Sequence, residues 1–299
     1  MKSELKIGII GLDTSHVIGF TQLLNDPAHA HHVPGAKVIS AFAGGSPDFD
    51  LSRDRVEGFT RQIVDEYGVE LMDSPVEVAR ACDAVLLTSV DGRVHLEQFR
   101  ALSGEGKPVF IDKPFAITSS DARQISELAT RHEVPLMSSS ALRYAAPLVE
   151  ALAEEIPVLG ADCSGPMDLQ PTQPGLFWYG IHSVEILYAA MGPGCRRVTA
   201  VSTPNSEFVT GEWQDGRIGT VRGFRGSQRG FQAVLHGPKT SRHIVLGAHP
   251  KPADAGLLEA VMRFFHTRVP AVPIAETLEI IRFIEAANSS RESGEPVEL

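Results

Sequence analysis

The chain reads KIGIIGLDTSH over residues 6–16, at its first apolar run. A short apolar strand that ends in a glycine turn before a helix is typical of a dinucleotide-binding fold. The fingerprint of that fold is G-x-G-x-x-G, with the pyrophosphate at the helix N-terminus. Gly11 stands at the first glycine position, whereas Asp13 and His16 stand at the second and third. Because the second glycine lets the backbone approach the pyrophosphate, the carboxylate of Asp13 makes cofactor binding the central question.

Composition favours an ordinary globular protein of two domains. The chain has 299 residues, 43% of them hydrophobic, and a formal net charge of -10, which argues against nucleic acid as a partner. No apolar run approaches the ~18 residues of a membrane helix, and the residues before Lys6 carry no signal-peptide pattern. Three widely spaced cysteines favour a reducing compartment. We therefore expect a cytoplasmic protein that binds neither membrane nor nucleic acid.

A metal site is not expected. His29, His31 and His32 lie close together in the sequence, but no cysteine or carboxylate stands at a supporting spacing. We interpret this cluster as part of an exposed loop.

Strands alternate with helices in the first part of the chain, which predicts crossover units and a parallel sheet. We therefore predict an α/β Rossmann domain with a doubly wound parallel sheet over residues 1–120. The apolar strands are expected at 7–10, 37–43, 84–88, 108–111 and 135–138.

The second part of the chain has a different pattern. Strands follow one another with little helix between them, and Asp215-Gly216 is a hairpin signal between two of them. We predict an α+β domain over residues 121–299 with a large, mostly antiparallel sheet, although the C-terminal helix could pack back on the first domain. The tail from residue 289 to 299 is expected to be frayed or surface-bound. The strands are expected at 198–203, 207–213, 217–224, 231–235 and 243–246, and the covering helices near 182–191, 257–266 and 276–288.

Four segments give the chain a resemblance to a known family. They are the glycines at 8–11, Asp112-Lys113-Pro114, Arg143-Tyr144-Ala145-Ala146-Pro147 and Tyr179-Gly180-Ile181-His182, in the expected order. Together they resemble the glucose-fructose oxidoreductase, inositol dehydrogenase and MocA (Gfo/Idh/MocA) family. The resemblance implies a Rossmann domain that binds NAD or NADP and a second domain that supplies the substrate pocket. It also implies hydride transfer at a sugar or cyclitol carbon, and a homodimer or homotetramer.

By the same resemblance, Lys113 and His182 are the catalytic pair. Hydride transfer from an alcohol needs a group that takes the hydroxyl proton, and the first turn of a helix favours a neutral imidazole at His182. Lys113 could instead only hydrogen-bond a hydroxyl or lie in a surface turn, and His182 could be a core or capping residue. Glu185 could orient His182 or form a surface salt bridge.

The sequence departs from the family at one catalytic position. Trp178 stands where an aspartate is expected four residues before His182, within the aromatic run of residues 177–179. Aromatic rings can stack on a sugar, but core packing explains them equally well. Ser138-Ser139-Ser140 could bind substrate oxygens or belong to a loop. The expected substrate-binding residues are Arg143, Trp178, Tyr179 and His182.

The adenosine half of the cofactor site also departs from the pattern. Ala43 and Gly44 stand where a ribose-binding acid usually ends the second strand. Ser46 and Arg53 follow and could accept a 2′-phosphate, which favours NADP slightly over NAD. Residues 13–15 could cap the first helix. His95 could contact the cofactor or pack at a helix N-terminus. The expected cofactor-binding residues are Gly11, Leu12, Asp13, Thr14, Ser15, His16, Gly44, Ser46, Thr88, Ser89, His95, Asp112 and Lys113.

Three functions are compatible with these observations. The first is an oxidoreductase acting on a sugar-like polyol or its keto form, in which Lys113 and His182 converge on one substrate. The second is a redox-neutral lyase or epimerase with a tightly held nicotinamide. The third is a non-catalytic sugar-binding protein that has lost the cofactor, as Asp13, His16 and Trp178 would suggest.

Overall fold

The computed structural model describes residues 4–226 and 230–299, which form two compact units. Unit 1 contains the described residues up to Ala116, then Ser120–Ser139 and Asp254–Ile274. Unit 2 contains Ile117–Ser119, the described part of Ser140–Ala253, and Ala275–Leu299. The chain therefore passes between the units several times. The predicted domain boundary at residue 120 falls at the start of the helix Ser119–Arg131, and the strand Leu136–Ser139 that follows this helix belongs to the first sheet.

The elements up to residue 139 alternate as the sequence predicts. Their strands form a six-stranded sheet in the order β3-β2-β1-β4-β5-β6, in which all neighbours are parallel. This order confirms the predicted doubly wound Rossmann architecture. The elements are β1 (Leu5–Ile10), α1 (His16–Asn25), β2 (Ala36–Phe42), α2 (Asp50–Tyr67), β3 (Glu70–Leu71), α3 (Pro75–Ala81), β4 (Ala84–Leu87), α4 (His95–Leu102), β5 (Val109–Asp112), α5 (Ser119–Arg131) and β6 (Leu136–Ser139).

Local sequence explains where these elements begin. The hydroxyl of Ser74 accepts a hydrogen bond from the backbone N–H of Glu77 at 3.3 Å, and Pro75 occupies the first turn of α3. The carboxylate of Glu77 accepts the N–H of Asp73 at 2.9 Å. These bonds satisfy donors that a helix start would otherwise leave open. The strands β1, β4 and β5 are buried almost throughout, as expected for a sheet covered on both faces.

The remaining elements build a seven-stranded sheet in the order β12-β11-β7-β10-β9-β8-β13. Strands β7 and β10 are parallel and the other neighbours are antiparallel, so the predicted mostly antiparallel sheet is confirmed. The elements are α6 (Ala146–Ala153), β7 (Gly160–Pro166), α7 (Gly180–Met191), β8 (Cys195–Ser202), β9 (Ser206–Trp213), β10 (Ile218–Phe224), β11 (Gln232–His236), β12 (Ser241–Val245), α8 (Ala253–Thr267), α9 (Ile274–Ser293) and β13 (Val297–Glu298).

Aromatic side chains form the centre of the core of unit 2. The rings of Tyr188 and Trp213 have centroids 5.7 Å apart, and Tyr188 also meets Phe283 edge-on at 5.8 Å. The indole N–H of Trp213 donates to the carbonyl of Gly192 at 2.9 Å. This cluster joins α7 and α9 to one face of the sheet, and buried rings of this size each contribute a few kcal/mol, about 1.5–3 for a fully buried side chain.

The tail is more ordered than the sequence predicts. Helix α9 continues to Ser293, and β13 pairs with β8 through Val297 and Val198. The hydroxyl of Ser290 accepts the N–H of Ala200 at 2.9 Å, so the last turn of α9 is tied to β8. Of the two alternatives for the tail, the frayed one is wrong and the surface-bound one agrees with the structure, because the tail pairs with an edge of β8.

Among the helices that residues 4–226 and 230–299 form, none combines the length and the apolar character that a bilayer crossing requires.

Candidate functional site

The turn after β1 keeps the geometry of the first fingerprint glycine. Gly11 has φ +90°, and a Cβ at this position would lie 2.1 Å from the hydroxyl and 2.4 Å from the backbone nitrogen of Ser89. The hydroxyl of Thr88 donates to the carbonyl of Gly11 at 2.8 Å. A side chain at position 11 would therefore clash with Ser89 in the loop after β4, and only glycine fits both the space and the backbone angle.

The carboxylate of Asp13 faces the interior of unit 1. The Asp13 side chain is fully buried and accepts hydrogen bonds from the Ser52 hydroxyl at 2.6 Å and from the Val90 N–H at 2.9 Å. Burial raises the pKa of Asp13 above its usual range, although both hydrogen bonds oppose the shift. The position that normally needs glycine thus holds a carboxylate that points away from the loop surface.

Helix α1 begins without a side-chain cap. Ser15 is its N-cap residue and makes no capping bond, and the first turn carries no acidic residue. The capping role expected for Asp13 is therefore wrong, because Ser52 and Val90 bind its oxygens. The hydroxyl of Thr14 accepts the N–H of His16 at 3.4 Å. The N-terminus of α1 keeps the positive end of its dipole open to an anion.

Four ionisable side chains cluster at the carboxyl end of β5. Nδ1 of His16 lies 2.5 Å from a carboxylate oxygen of Asp112. Burial alone would lower the pKa of His16, but Asp112 outweighs it and the pKa rises; the pKa of Asp112 falls in turn. Burial lowers the pKa of Lys113, against the charges of Asp112 and Asp254. Burial raises the pKa of Asp254. The third fingerprint position therefore places an imidazole with a raised pKa near the predicted catalytic lysine.

The other expected cofactor residues of unit 1 are bonded mainly to protein. Leu12 is fully buried. The hydroxyl of Ser89 donates to the side chain of Gln98 at 2.8 Å. His95 is buried, and its ring nitrogens lie 2.8 Å from the carbonyl oxygen of Ser89 and 3.3 Å from that of Phe115. Packing at the N-terminus of α4 thus explains His95 without a cofactor.

The loop after β2 is built around the hydroxyl of Ser52. Gly44 has φ +63°, and the backbone N–H of Ser46 donates to that hydroxyl at 2.7 Å. Arg53, the cation expected to accept a 2′-phosphate, pairs with Asp50 at 2.7 Å and with Asp54 at 2.9 Å. A phosphate at Arg53 would have to compete with both carboxylates.

In unit 2, His182 lies in the first turn of α7 among polar and aromatic partners. Its Nδ1 is 2.7 Å from the hydroxyl of Ser140. The ring of Tyr179 lies edge-on at 5.9 Å and that of Phe231 at 5.3 Å. Trp178 meets Tyr179 at 6.0 Å, so the aromatic run and His182 share one neighbourhood.

Arg143 belongs to a buried ionic network. Its guanidinium binds Glu185 at 2.9 Å and Glu276 at 2.7 Å, with all three side chains at most 12% exposed. A substrate contact of Arg143 stays a prediction. Burial alone would lower the pKa of Arg143, but the two carboxylates outweigh it and raise it. The alternative of a surface salt bridge at Glu185 is therefore wrong, because its partner is the buried Arg143. Glu185 does not bond His182 directly.

A cleft of about 270 Å³ opens beside these residues. Its lining includes Leu142, Phe231, His249 and Lys251. Phe231 contacts His182, so the cleft adjoins the imidazole. Phe177, by contrast, is only 1% exposed, so it packs in the core and does not present its ring for stacking on a sugar.

Several residues of these clusters were hidden from sequence reasoning. Ser52, Asp254 and Glu276 lie 39, 142 and 133 residues from Asp13, Asp112 and Arg143, by difference of their numbers. No local spacing signals such pairs. The periodicity of α8 and α9 indicates that Asp254 and Glu276 lie in the first turns of these helices. It does not indicate which residues they contact.

Residues 20–140 match the model of an oxidoreductase family with an NAD-binding Rossmann fold, Gfo/Idh/MocA. Over this segment the chain is similar to that family. An inositol 2-dehydrogenase of Cereibacter sphaeroides is 32% identical over 126 residues, which cover 41% of this chain and 32% of the relative. The match thus spans about a third of the length of that curated relative.

Solved structures show the same fold across the chain. GenD2 from gentamicin A biosynthesis, solved with NAD, has a TM-score of 0.78 at 18% identity and covers 100% of this chain and 97% of its own. A myo-inositol 2-dehydrogenase from Lactobacillus plantarum has a TM-score of 0.77 at 15% identity, covering 99% and 100%. An oxidoreductase from Agrobacterium radiobacter, in complex with NAD+, L-tartaric acid and magnesium, has a TM-score of 0.76 at 17% identity, covering 99% and 98%.

Proposed function

We propose that this chain is an NAD(P)-dependent oxidoreductase that transfers hydride to or from a sugar, a cyclitol or a related polyol or keto compound. The observation that carries the proposal is the ionic cluster at the carboxyl end of β5, where Lys113 stands beside Asp112 and His16. Ligands of open parallel sheets bind at this edge. The match of residues 20–140 to the Gfo/Idh/MocA family model and the likeness to an inositol 2-dehydrogenase support the substrate class.

The residues after β1 fit a dinucleotide. Gly11 keeps the tight turn, and α1 offers an uncapped N-terminus. We propose that residues 11–16 hold the pyrophosphate, with His16 adding positive charge, and that Gly44 and Ser46 face the adenosine ribose. When bound, the nicotinamide supplies the hydride chemistry, and the protein supplies orientation and charge. Asp13 is compatible with this role because its carboxylate is bonded inward.

Lys113 and His182 divide the proton chemistry in this proposal. Lys113 binds the reacting hydroxyl, and the lowering of its pKa by burial favours proton exchange nearer to neutral pH. His182 takes up the hydroxyl proton during oxidation and returns it during reduction. Tyr179 and Trp178 shape the substrate site beside His182, together with the cleft that Phe231 lines.

The first experiment identifies the cofactor. Small molecules released from freshly purified protein are analysed by mass spectrometry, and NAD+ and NADP+ are then titrated by calorimetry. We expect micromolar to submillimolar binding of at least one of them, on the order of 1 μM to 1 mM. Absence of binding by both would favour a sugar-binding protein without a cofactor. Nicotinamide that stays bound through turnover would favour a redox-neutral reaction.

The second experiment tests the catalytic lysine. Formation of reduced nicotinamide is followed with myo-inositol, scyllo-inositol and simple hexoses as substrates. Lys113→Ala is expected to abolish turnover while circular dichroism stays unchanged. The control, Lys37→Ala, changes an exposed lysine of β2 and should leave the rate unaltered. A Lys113→Ala protein that works at the wild-type rate removes Lys113 from the mechanism.

A further inference from the structure

The imidazole of His182 has a partner that the family pattern does not provide. The aspartate expected four residues earlier is Trp178, and the hydroxyl of Ser140 lies 2.7 Å from Nδ1 of His182 instead. We propose that Ser140 is the positioning residue for His182 and replaces the missing carboxylate from a different element of unit 2. This inference rests on the proposed role of His182 in proton transfer.

The hydroxyl of Ser140 is itself held in place. Ser140 is fully buried, follows β6, and is the N-cap of the short 3-10 turn Ala141–Tyr144. Its Oγ accepts the backbone N–H of Leu142 at 3.2 Å. Its own backbone N–H donates to Glu185 at 3.2 Å. These contacts fix both the backbone and the side-chain rotamer of Ser140.

The buried carboxylate of Glu185 therefore affects His182 only indirectly, through Ser140. Glu185 lies on α7 one turn after His182, but its oxygens accept the Ser140 N–H and the Arg143 guanidinium. Arg143 is bound in turn by Glu276 of α9. The network holds Ser140 in position, and Ser140 in turn orients the ring of His182. Buried polar networks can orient a group because several contacts hold their members in place.

The contact has a consequence for the proton on the ring. A hydroxyl oxygen has two lone pairs, so Ser140 Oγ can accept the Leu142 N–H and the Nδ1–H of His182 together. In the proposed arrangement Nδ1 donates its proton to Ser140 Oγ, and Nε2 of the neutral ring offers the lone pair that takes the substrate proton. After uptake the imidazolium retains the same Nδ1–H bond to Ser140. The neutral imidazole side chain in water favours a proton on Nε2, so the opposite tautomer is diagnostic.

Nitrogen NMR of the full-length protein tests this arrangement without substrate or cofactor. Histidine is labelled with ¹⁵N in the ring, and the His182 signals are assigned by their loss in His182→Asn. At a pH about two units above the ordinary histidine pKa, we expect wild-type His182 to carry its proton on Nδ1. Ser140→Ala should shift the population to Nε2–H, whereas Ser140→Thr, which keeps the hydroxyl, should preserve Nδ1–H. Ser120→Ala, which changes an exposed serine of α5, is the control and should change nothing.

Kinetics gives the second measurement. With any substrate that the enzyme turns over, Ser140→Ala should lower kcat about tenfold, a part of the 10²–10⁴ that a full acid–base residue contributes, with KM within about twofold. Ser140→Thr should restore most of the rate. An Nε2–H tautomer in the wild type, or a Ser140→Ala protein with unchanged tautomer and rate, overturns the proposal. The expected tautomers without any nicotinamide-dependent turnover would support the positioning contact and count against the proposed function instead.

Discussion

Replacement of Asp13 by alanine should destabilise unit 1 substantially. The change leaves the Ser52 hydroxyl and the Val90 N–H, both buried, without their acceptor. The oxygen of Ser52 already accepts the Ser46 N–H at 2.7 Å, so its proton has little freedom to find another partner. An unsatisfied buried donor costs about 1–3 kcal/mol, so two cost about 2–6 kcal/mol. The substitution also removes the cost of burying a carboxylate, which offsets part of this loss. We expect the free energy of unfolding to fall by about 3 kcal/mol in total.

Urea unfolding followed by circular dichroism measures this loss. For a chain of this size about 3 kcal/mol corresponds to a fall in Tm of about 6–12 °C. Asp13→Asn keeps an acceptor for Val90 and should cost only about 1 kcal/mol. Asp54→Ala removes an exposed carboxylate of α2, 64% exposed, and should lie within about 0.5 kcal/mol of wild type. Hydrogen exchange should show faster exchange in β1 and β4 than in β9 of unit 2.

The same position tests the cofactor loop. Asp13→Gly restores the second fingerprint glycine, but the carboxylate it removes points toward Ser52 and Val90. We therefore expect affinities for NAD+ and NADP+ within about twofold of wild type, together with a loss of stability similar to that of Asp13→Ala. A gain of tenfold or more in affinity, or stability equal to wild type, would refute the inward orientation of this carboxylate.

Gly11→Ala should cost more than about 3 kcal/mol and abolish NAD+ binding, because the new Cβ would lie 2.1 Å from the Ser89 hydroxyl at a left-handed φ. Its control, Gly58→Ala, has open space within α2 and should stabilise by about 0.5–1 kcal/mol in thermal unfolding. The pair of His16 and Asp112 predicts a pH-dependent difference between wild type and His16→Ala. The stability due to the raised pKa of His16 is present below about pH 6.5 and is lost at higher pH. The stability due to the lowered pKa of Asp112 is lost below about pH 4. The difference in stability between wild type and His16→Ala should therefore be largest between these two pH values. A difference that does not vary between pH 5 and about pH 9 would contradict a charged pair.

The course of most strands could be read from the sequence, but β3, β7 and β13 were not predicted, and β7 is the most instructive of them. Strand β7 contains Gly160, Gly165 and Pro166, residue types that disfavour strands. It nevertheless lies inside the sheet between β11 and β10. A Cβ at Gly165 would lie 2.2 Å from the ring of Phe231, so the glycine is required by tertiary contact with the aromatic residue beside His182.

The sequence proposed residues for the candidate site but could not give their contacts. Lys113 and His182 were named by the family resemblance, and their catalytic role stays a prediction. Which way Asp13 points could not be read, since a capping bond and an inward bond use the same carboxylate. The inward partners are Ser52, which lies in the distant helix α2, and Val90, which lies in the loop after β4. Burial against those donors decided between the two.

Sequence alone determined the alternation of strand and helix, the glycine turn at Gly11 and the hairpin at Asp215-Gly216, because each depends on residues that are neighbours along the chain. Tertiary structure decided the partners of the ionisable and polar groups. Ser140 reaches His182 across 42 residues of sequence, and His16 reaches Asp112 across 96. Such pairs form only when the packed sheet and helices remove water and bring distant side chains within hydrogen-bond distance.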